Sequence, residues 1–264
     1  MNINTQHTNL LHTENLDIGY QQKDTKLLIA NNLRLGAKKG ELIAILGKNG
    51  SGKSTLLRTL ANIQKPLHGS IYINDKNINH YPTTNLAQNL SVVFTEKLPT
   101  GLLRVEELIS MGRQVHTNWL DTITNKDRDK INFAVELTNT FELLPKLFDE
   151  LSDGQKQKVL IARAIAQDTA LLFLDEPTAH LDIHHRMESF LLLQKLAHTY
   201  QKTVIIATHE IGLAIKLADK IWLLNNKEIQ VGKPNDLIDK AAISKVFDSD
   251  LIRFNPKKSS FEYK

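Results

Sequence analysis

Cysteine is absent from the 264 residues, which excludes disulfides and thiolate metal sites and fits a reducing compartment. Long apolar runs are absent as well. No uncharged stretch approaches the roughly 18 residues that span a bilayer, so work at a membrane requires docking on a partner. The opening MNINTQHTNLLHTEN lacks the basic-then-apolar order of a signal peptide. Charge of one sign is scarce: the net charge is only +4, with Lys and Arg scattered among Asp and Glu. A dedicated nucleic-acid binder carries a basic stripe, and none stands out, so no nucleic-acid partner is expected. The mildly basic stretch from Asn255 to Lys264 reads as a solvated terminus. Internal repeats and low-complexity linkers are missing too, while 41% apolar residues are enough for a substantial core. One globular domain is the expectation.

What is present is an α/β alternation. Leu10 to Ile18 and Leu27 to Leu35 alternate in the manner of strands, ending at the Lys-Lys-Gly of Lys38 to Gly40. Leu42 to Leu46 is a continuous apolar run followed by glycines and a helix-favouring stretch, Lys53 to Ala61, as in a buried parallel strand feeding a helix. Ser70 to Ile73 reads as a strand turning at Asn74 and Asp75. Between about Leu98 and Ala166 the period becomes helical, with Val105 to Met111, Asp127 to Leu137 and Gln155 to Ala166 as three helices. Strands return at Ala170 to Leu174 and Thr203 to Ala207, joined through the helical Met187 to Ala197 as a βαβ crossover. Ile221 to Leu224 and Glu228 to Val231 read as closing strands, and Asn235 to Val246 as a last helix. The fold class expected is α/β with a mostly parallel sheet, an N-terminal antiparallel β region and a helical subdomain. The core covers about 1–97 and 167–264, and the helical subdomain about 98–166.

Gly47-Lys48-Asn49-Gly50-Ser51-Gly52-Lys53-Ser54-Thr55 contains G-x-x-x-x-G-K-[ST] in the context that pattern requires, an apolar strand before it and a helix after. Glycines let the backbone curl so that successive N–H groups point inward at phosphate oxygens. Lys53 adds a point charge at the outer phosphates, and the Ser54 hydroxyl can ligate Mg²⁺. The helix that follows presents its positive end to the same anion. A bound nucleoside triphosphate follows, although the loop alone does not separate a transporter ATPase from a GTPase, a kinase or a helicase.

A second apolar strand, in Leu171 to Pro177, ends on Asp175 and Glu176. Asp175 is placed to hold the metal ion bridging the outer phosphates, and Glu176 to orient and deprotonate an attacking water. Thr208-His209-Glu210 puts His209 at another strand end, a candidate contact for the γ-phosphate. In Leu151-Ser152-Asp153-Gly154-Gln155, Ser152 can cap the following helix, which makes a second anion-seeking helix start in one chain. One nucleotide and one subunit do not account for two such starts.

At this point the sequence strongly resembles the ATP-binding cassette (ABC) family of P-loop NTPases, whose signature is LSGGQ. GKNGSGKST, LLFLDEP, the loop Ala179-His180-Leu181-Asp182 and the terminal Thr-His-Glu follow in the family's order over nearly the whole chain. The resemblance implies ATP and Mg²⁺ as cofactors and two copies paired head to tail. Each ATP would lie between the phosphate loop of one copy and Ser152, Gly154 and Gln155 of the other. It also implies that Tyr20 stacks on adenine. Two departures stand out: Asp153 replaces the family's glycine, and Thr95, with Glu96 beside it, falls where a metal-linking glutamine is usual, leaving an oxygen ligand without the amide.

Val105-Glu106-Glu107-Leu108-Ile109-Ser110-Met111-Gly112-Arg113, with Trp119, the polar Lys126 to Asp129 and Leu181-Asp182-Ile183-His184-His185, resembles the branch serving iron-siderophore, haem and cobalamin importers. Adjacent His184 and His185 point apart on a helix and are read as a solvated helix start rather than a metal site. The resemblance implies an integral membrane permease as partner, a periplasmic or lipoprotein binding protein as indirect partner, and a place at the cytoplasmic face of the inner membrane. The alternative is a soluble ABC ATPase acting on nucleic acid or in cofactor assembly, whose usual tandem cassettes or long insertions are missing here.

Overall fold

In the computed structural model, which describes residues 9–22, 25–94, 101–117, 122–179, 181–256 and 258–264, the chain opens with antiparallel pairing. β1 (Leu11–Gln22), β2 (Thr25–Leu33) and the short β3 (Gly36–Ala37) lead to β4 (Leu42–Leu46). After the glycine loop come α1 (Lys53–Leu60), β5 (His68–Ile73) and β6 (Lys76–Asn77), the last two joined through Asn74 and Asp75, both at positive φ as a tight hairpin needs. Short α2 (Thr83–Ala87) precedes β7 (Leu90–Val93). Three helices follow: α3 (Val105–Ser110), α4 (Asn125–Thr138) and α5 (Asp153–Ala166). Reciprocal capping boxes start two of them, Thr124 with Asp127 on α4 and Ser152 with Gln155 on α5.

The chain then alternates through β8 (Leu171–Asp175), α6 (Ile183–His198), β9 (Thr203–Ala207), α7 (Ile211–Leu217), β10 (Lys220–Asn225) and β11 (Glu228–Gly232). It closes with α8 (Pro234–Asp239), α9 (Ala242–Phe247) and the hairpin β12 (Ile252–Asn255) and β13 (Ser260–Tyr263).

The central sheet runs β11-β10-β4-β9-β8-β7, parallel except where β11 pairs antiparallel with β10. A second sheet, β2-β1-β5-β6 with β3 on β1, is antiparallel. Every residue of β4, β8 and β9 is buried, which is why these strands read as unbroken apolar runs. Their alternation divides two cores. Leu42, Ala44 and Leu46 join the cluster under α3, α4, α5 and α6, whereas Ile43 and Ile45 join Leu56, Leu57 and the antiparallel sheet. β4 is thus covered on both faces, and the loop leaves its carboxyl end from between the two cores.

Two expectations from the sequence fail in the C-terminal region. The single helix expected over Asn235 to Val246 is two, because Ala241 takes a left-handed backbone (φ 51°) and ends the first. The stretch from Asn255 to Lys264 is no free tail: it supplies β13, and its Phe261 packs between Phe254 and Phe247. Burial of aromatic area outweighs the local excess of lysine there. Helix α7 has no counterpart in the sequence reading.

Candidate nucleotide site

The loop 47–55 leaves β4 and enters α1, whose first turn carries no acidic residue and no side-chain cap, so its leading N–H groups remain available to an anion. Two glycines are required by geometry. At Gly47 a Cβ would meet the Ser51 hydroxyl at 2.6 Å and the Leu224 carbonyl at 2.7 Å. Gly52 stands at φ +104°, where a Cβ would lie 2.2 Å from Ile29 Cγ2. The loop closes on itself through Ser51 N–H donating to the Lys48 carbonyl at 3.1 Å, and the buried Ser51 hydroxyl has no partner. An orphaned donor at a phosphate-shaped turn fits an anionic ligand.

Lys53 is buried, and its ammonium donates to the Gly47 carbonyl at 3.1 Å. Burial lowers its pKa, opposed by Glu176 and Asp175. The Ser54 hydroxyl donates to Asp175 Oδ1 at 2.9 Å, which joins two hard oxygen donors from α1 and the end of β8. That donor set suits Mg²⁺ completed by phosphate and water oxygens. No cluster of three or more His, Asp or Glu side chains able to hold a metal exists among the described residues.

One residue on, Glu176 adopts φ 48° with its N–H donating to the Ala207 carbonyl at 2.8 Å. This left-handed turn is uncommon for a glutamate, and β9 holds it in place. Its carboxylate lies 2.8 Å from His209 Nε2 and 3.9 Å from the Lys53 ammonium. Burial pushes the Glu176 carboxyl up to about 7, against the lowering pull of Lys53 and with help from Asp175. Burial, then Lys53, lowers His209. Both shifts are toward the neutral forms, and the 2.8 Å contact joins the carboxyl and the imidazole.

Tyr20 reaches over from β1, its hydroxyl 3.0 Å from the Thr55 hydroxyl, while the side chain remains 42% exposed and its ring is available for stacking. Tyr20, Asn49, Gly50, Gly52, Lys53, Ser54, Thr55, Glu176 and His209 line one cavity of about 400 Å³ together with Ile29. Ser152, Gly154 and Gln155 are not on its wall. Ser152 caps α5 instead: its hydroxyl accepts the Gln155 N–H at 3.4 Å, and Gln155 Oε1 accepts the Ser152 N–H at 3.1 Å. Around Gly154 the nearest atom to an added Cβ is Leu181 Cδ2 at 3.6 Å, so nothing in this chain's own packing demands glycine there. Asp153 is exposed at the first position of α5. Thr95, Glu96, Trp119 and His180 lie outside the described residues.

Asp182 caps α6, accepting the His185 N–H at 2.9 Å, and its other oxygen meets His185 Nδ1 at 2.8 Å. His184 lies 3.5 Å from Glu188 with its ring edge-on to that of His185, centroids 6.2 Å apart, so the two histidines do not point apart as expected. Sequence reasoning missed two residues. Ile29, beneath Gly52, was legible only as one more apolar position of an alternating strand. Arg186 bonds the Leu181 carbonyl and, at 2.8 Å, Glu210 next to His209; no motif marks it.

Comparison with known proteins gives these features a family. Residues 30–179 match the family described as ABC transporter. An uncharacterised ABC transporter ATP-binding protein of Methanocaldococcus jannaschii is 36% identical over 97% of this chain and 87% of its own length. The achromobactin transport ATP-binding protein of Dickeya dadantii is 35% identical (89% and 86%), and the iron(3+)-hydroxamate import ATP-binding protein of Bacillus subtilis 34% (92% and 89%). Among solved structures, a chain of an inward-facing ABC transporter assigned to the metal-chelate type superposes with a TM-score of 0.78 at 30% identity, covering 97% of this chain and 96% of that one. A dimeric cassette in a post-hydrolysis state with ADP and Pi gives 0.74 at 26%, covering 85% and 98%.

Proposed function

Since the chain belongs to the ABC transporter family, as an ATP-binding cassette and ATPase, we propose that it powers an importer for an iron complex, a siderophore or haem, or for cobalamin. The names of its relatives support import of iron chelates. The segment 105–113 supports the same branch. In this reading two copies pair head to tail on an integral membrane permease at the cytoplasmic face of the inner membrane, and a periplasmic or lipoprotein binding protein delivers the cargo. No helix among the described residues is long and apolar enough to cross a membrane, which accords with a permease in another chain.

The observation that carries the catalytic assignment is the convergence at the loop of two contacting sets, Ser54 with Asp175 and Glu176 with both Lys53 and His209. The loop amides of 47–55 and Lys53 hold the β- and γ-phosphates, and Tyr20 stacks on the adenine. Ser54 and Asp175, with Thr95, would ligate Mg²⁺, which supplies charge neutralisation across the outer phosphates. Glu176 takes a proton from water as its oxygen bonds to the γ-phosphorus. The bond from that phosphorus to the bridging oxygen breaks, and ADP leaves with the electron pair. His209 donates to the γ-phosphate. Ser152, Gly154 and Gln155 of a second copy cover the opposite side of the triphosphate, with Gly154 leaving room for its approach.

The test is ATP hydrolysis by the cassette assembled with its permease. Glu176→Gln is expected to lower turnover about 10²-fold or more while ATP binding persists, and Lys53→Ala to weaken binding itself. Hydrolysis indifferent to both substitutions would sink the catalytic assignment. Growth of a deletion strain on single iron or cobalamin sources identifies the cargo, and unimpaired growth on all of them would refute the importer assignment.

A further inference from the structure

The residues beyond α9 add no strand to either sheet of the core; β12 and β13 pair with each other. They are nonetheless fastened down. Phe254 is 5% exposed and packs on Phe261 at 5.3 Å, and Phe261 meets Phe247 of α9 edge-on at 6.1 Å. The Phe254 N–H donates to Asp248 at 2.7 Å, and Glu262 gathers Arg253, Asn255 and Lys258. Phe261 also joins the main core together with Ile211 and Leu213 of α7.

The turn of this hairpin comes down on the start of α7. A Cβ built on Gly212 would stand 3.4 Å from the Ser259 carbonyl oxygen, so the turn faces the second residue of the helix with room for little more than a methyl group between them. Helix α7 has seven residues and no side-chain cap, too short to fix its own first turn. The corner that leads into it is tight: Glu210 N–H donates to the Thr208 hydroxyl at 3.1 Å and Ile211 N–H to the His209 carbonyl at 2.9 Å. Arg186 holds the corner from one side through Glu210. The hairpin turn adjoins it two residues on, at Gly212.

We propose that the C-terminal hairpin is a positioning element for His209, backing the first turn of α7 so that the imidazole stays against Glu176. The inference rests on the assignment of His209 to the γ-phosphate. A side chain three residues from a backbone confined by a neighbouring turn moves with it, and displacement of about 1 Å at a reacting centre can cost on the order of 10²-fold in rate.

The experiment compares Phe261→Ser, Phe261→Leu and Gly212→Val in the full-length cassette assembled with its permease, with His209→Ala alongside. Phe261→Ser unlatches the hairpin, and Gly212→Val pushes its turn off α7 while leaving the aromatic cluster intact. Both are expected to lower kcat about 10-fold with KM for ATP changed less than about twofold. Both should move the His209 imidazole resonances in NMR spectra of the isolated cassette, and Phe261→Leu should restore most of the rate. Unchanged kcat in Gly212→Val, or a lowered kcat with His209 resonances in place, overturns the proposal. Should Phe261→Ser fail to fold, Gly212→Val decides. If His209→Ala turns over normally, the assignment of His209 fails, and the shift of its resonances in Gly212→Val still reports whether the hairpin positions it.

Discussion

Removing either partner of the buried Arg113–Asp127 pair is expected to cost unequal amounts, and the inequality follows from what each partner leaves behind. Arg113 and Asp127 are 3% and 4% exposed, with Nε donating to Oδ1 at 2.9 Å. Arg113 also donates to the Ala166 carbonyl at 2.7 Å, closing the end of α5. It reaches that carbonyl because Gly112 lets the backbones approach; a Cβ there would lie 2.4 Å from the Arg163 carbonyl. Asp127 has a second set of partners, the Thr124 N–H at 3.0 Å and hydroxyl at 2.6 Å. In Arg113→Ala the carboxylate therefore keeps two donors, and the expected loss is about 2 kcal/mol. In Asp127→Ala the guanidinium stays buried with, among the described residues, the Ala166 carbonyl as its remaining partner, and α4 loses the carboxylate half of its capping box, for about 4 kcal/mol. The double variant should cost less than the sum by about 1 kcal/mol or more, since the second removal relieves the stranded charge.

Thermal unfolding followed by circular dichroism reads these as drops of roughly 5 and 10 °C at this chain length. The pH sign is fixed as well. The Thr124 hydroxyl first, then the Thr124 N–H and Arg113, bring the Asp127 carboxyl from 3.8 to about 2 against the opposing effect of burial. A depressed carboxyl stabilises the fold above the unfolded value and ceases to do so as pH falls through the folded one. The stability gap between wild type and Asp127→Asn should therefore be constant from pH 7 to 5 and close between about pH 4 and 2. Equal costs for the two single variants, or simple additivity in the double, would refute the reasoning.

Gly52→Ala should abolish ATP binding, since the new methyl meets Ile29 Cγ2 at 2.2 Å in a left-handed backbone, and Ile29→Ala should restore only part of it because the strain of φ +104° remains. Isothermal titration with ATP measures both. Tyr20→Phe keeps the ring but loses the 3.0 Å link to Thr55, so affinity should fall only a few fold, about 2–5, whereas Tyr20→Ala should lose about 10-fold or more. Fluorescent nucleotide titration separates the two; equal losses would mean the hydroxyl, not the ring face, matters. If the start of α5 meets a partner's triphosphate, Asp153→Gly in a Glu176→Gln background should tighten ATP-dependent dimerisation about 5-fold at low salt and less at high salt, as light scattering would show. An effect insensitive to salt would count against a charge origin.

The parts of this protein legible in its sequence are those whose cause is local. β4 and β9 are continuous apolar runs because both faces are covered, and their bounds coincide with the runs. Gly47 and Gly52 announce the loop because no other residue fits. The capping box at Ser152 marks the first turn of α5. What escaped was decided at long range or by one backbone angle. Ala241 carries no breaker chemistry, yet its left-handed backbone splits the last helix. Phe254 and Phe261 sit in a lysine-rich stretch whose composition suggests solvent, and Phe247 decides otherwise. The contact of His209 with Glu176 joins the ends of two neighbouring strands, and the turn of Glu176 into the cavity is a conformation that glutamate does not advertise.

The strand order has a consequence for how this chain comes into being. β4 emerges early, but its two neighbours in the sheet are β9 and β10, made of residues 203–207 and 220–225. At synthesis rates of roughly 5–20 residues per second, the phosphate loop waits on the order of ten seconds or more for the strands that flank it. Such non-local closure is slow by nature. Through that interval the five apolar residues of β4 are an unsheathed segment that chaperones and aggregation compete for. Ligand that binds only the folded site stabilises the finished cassette, whose loop is flanked by strands completed at residue 225.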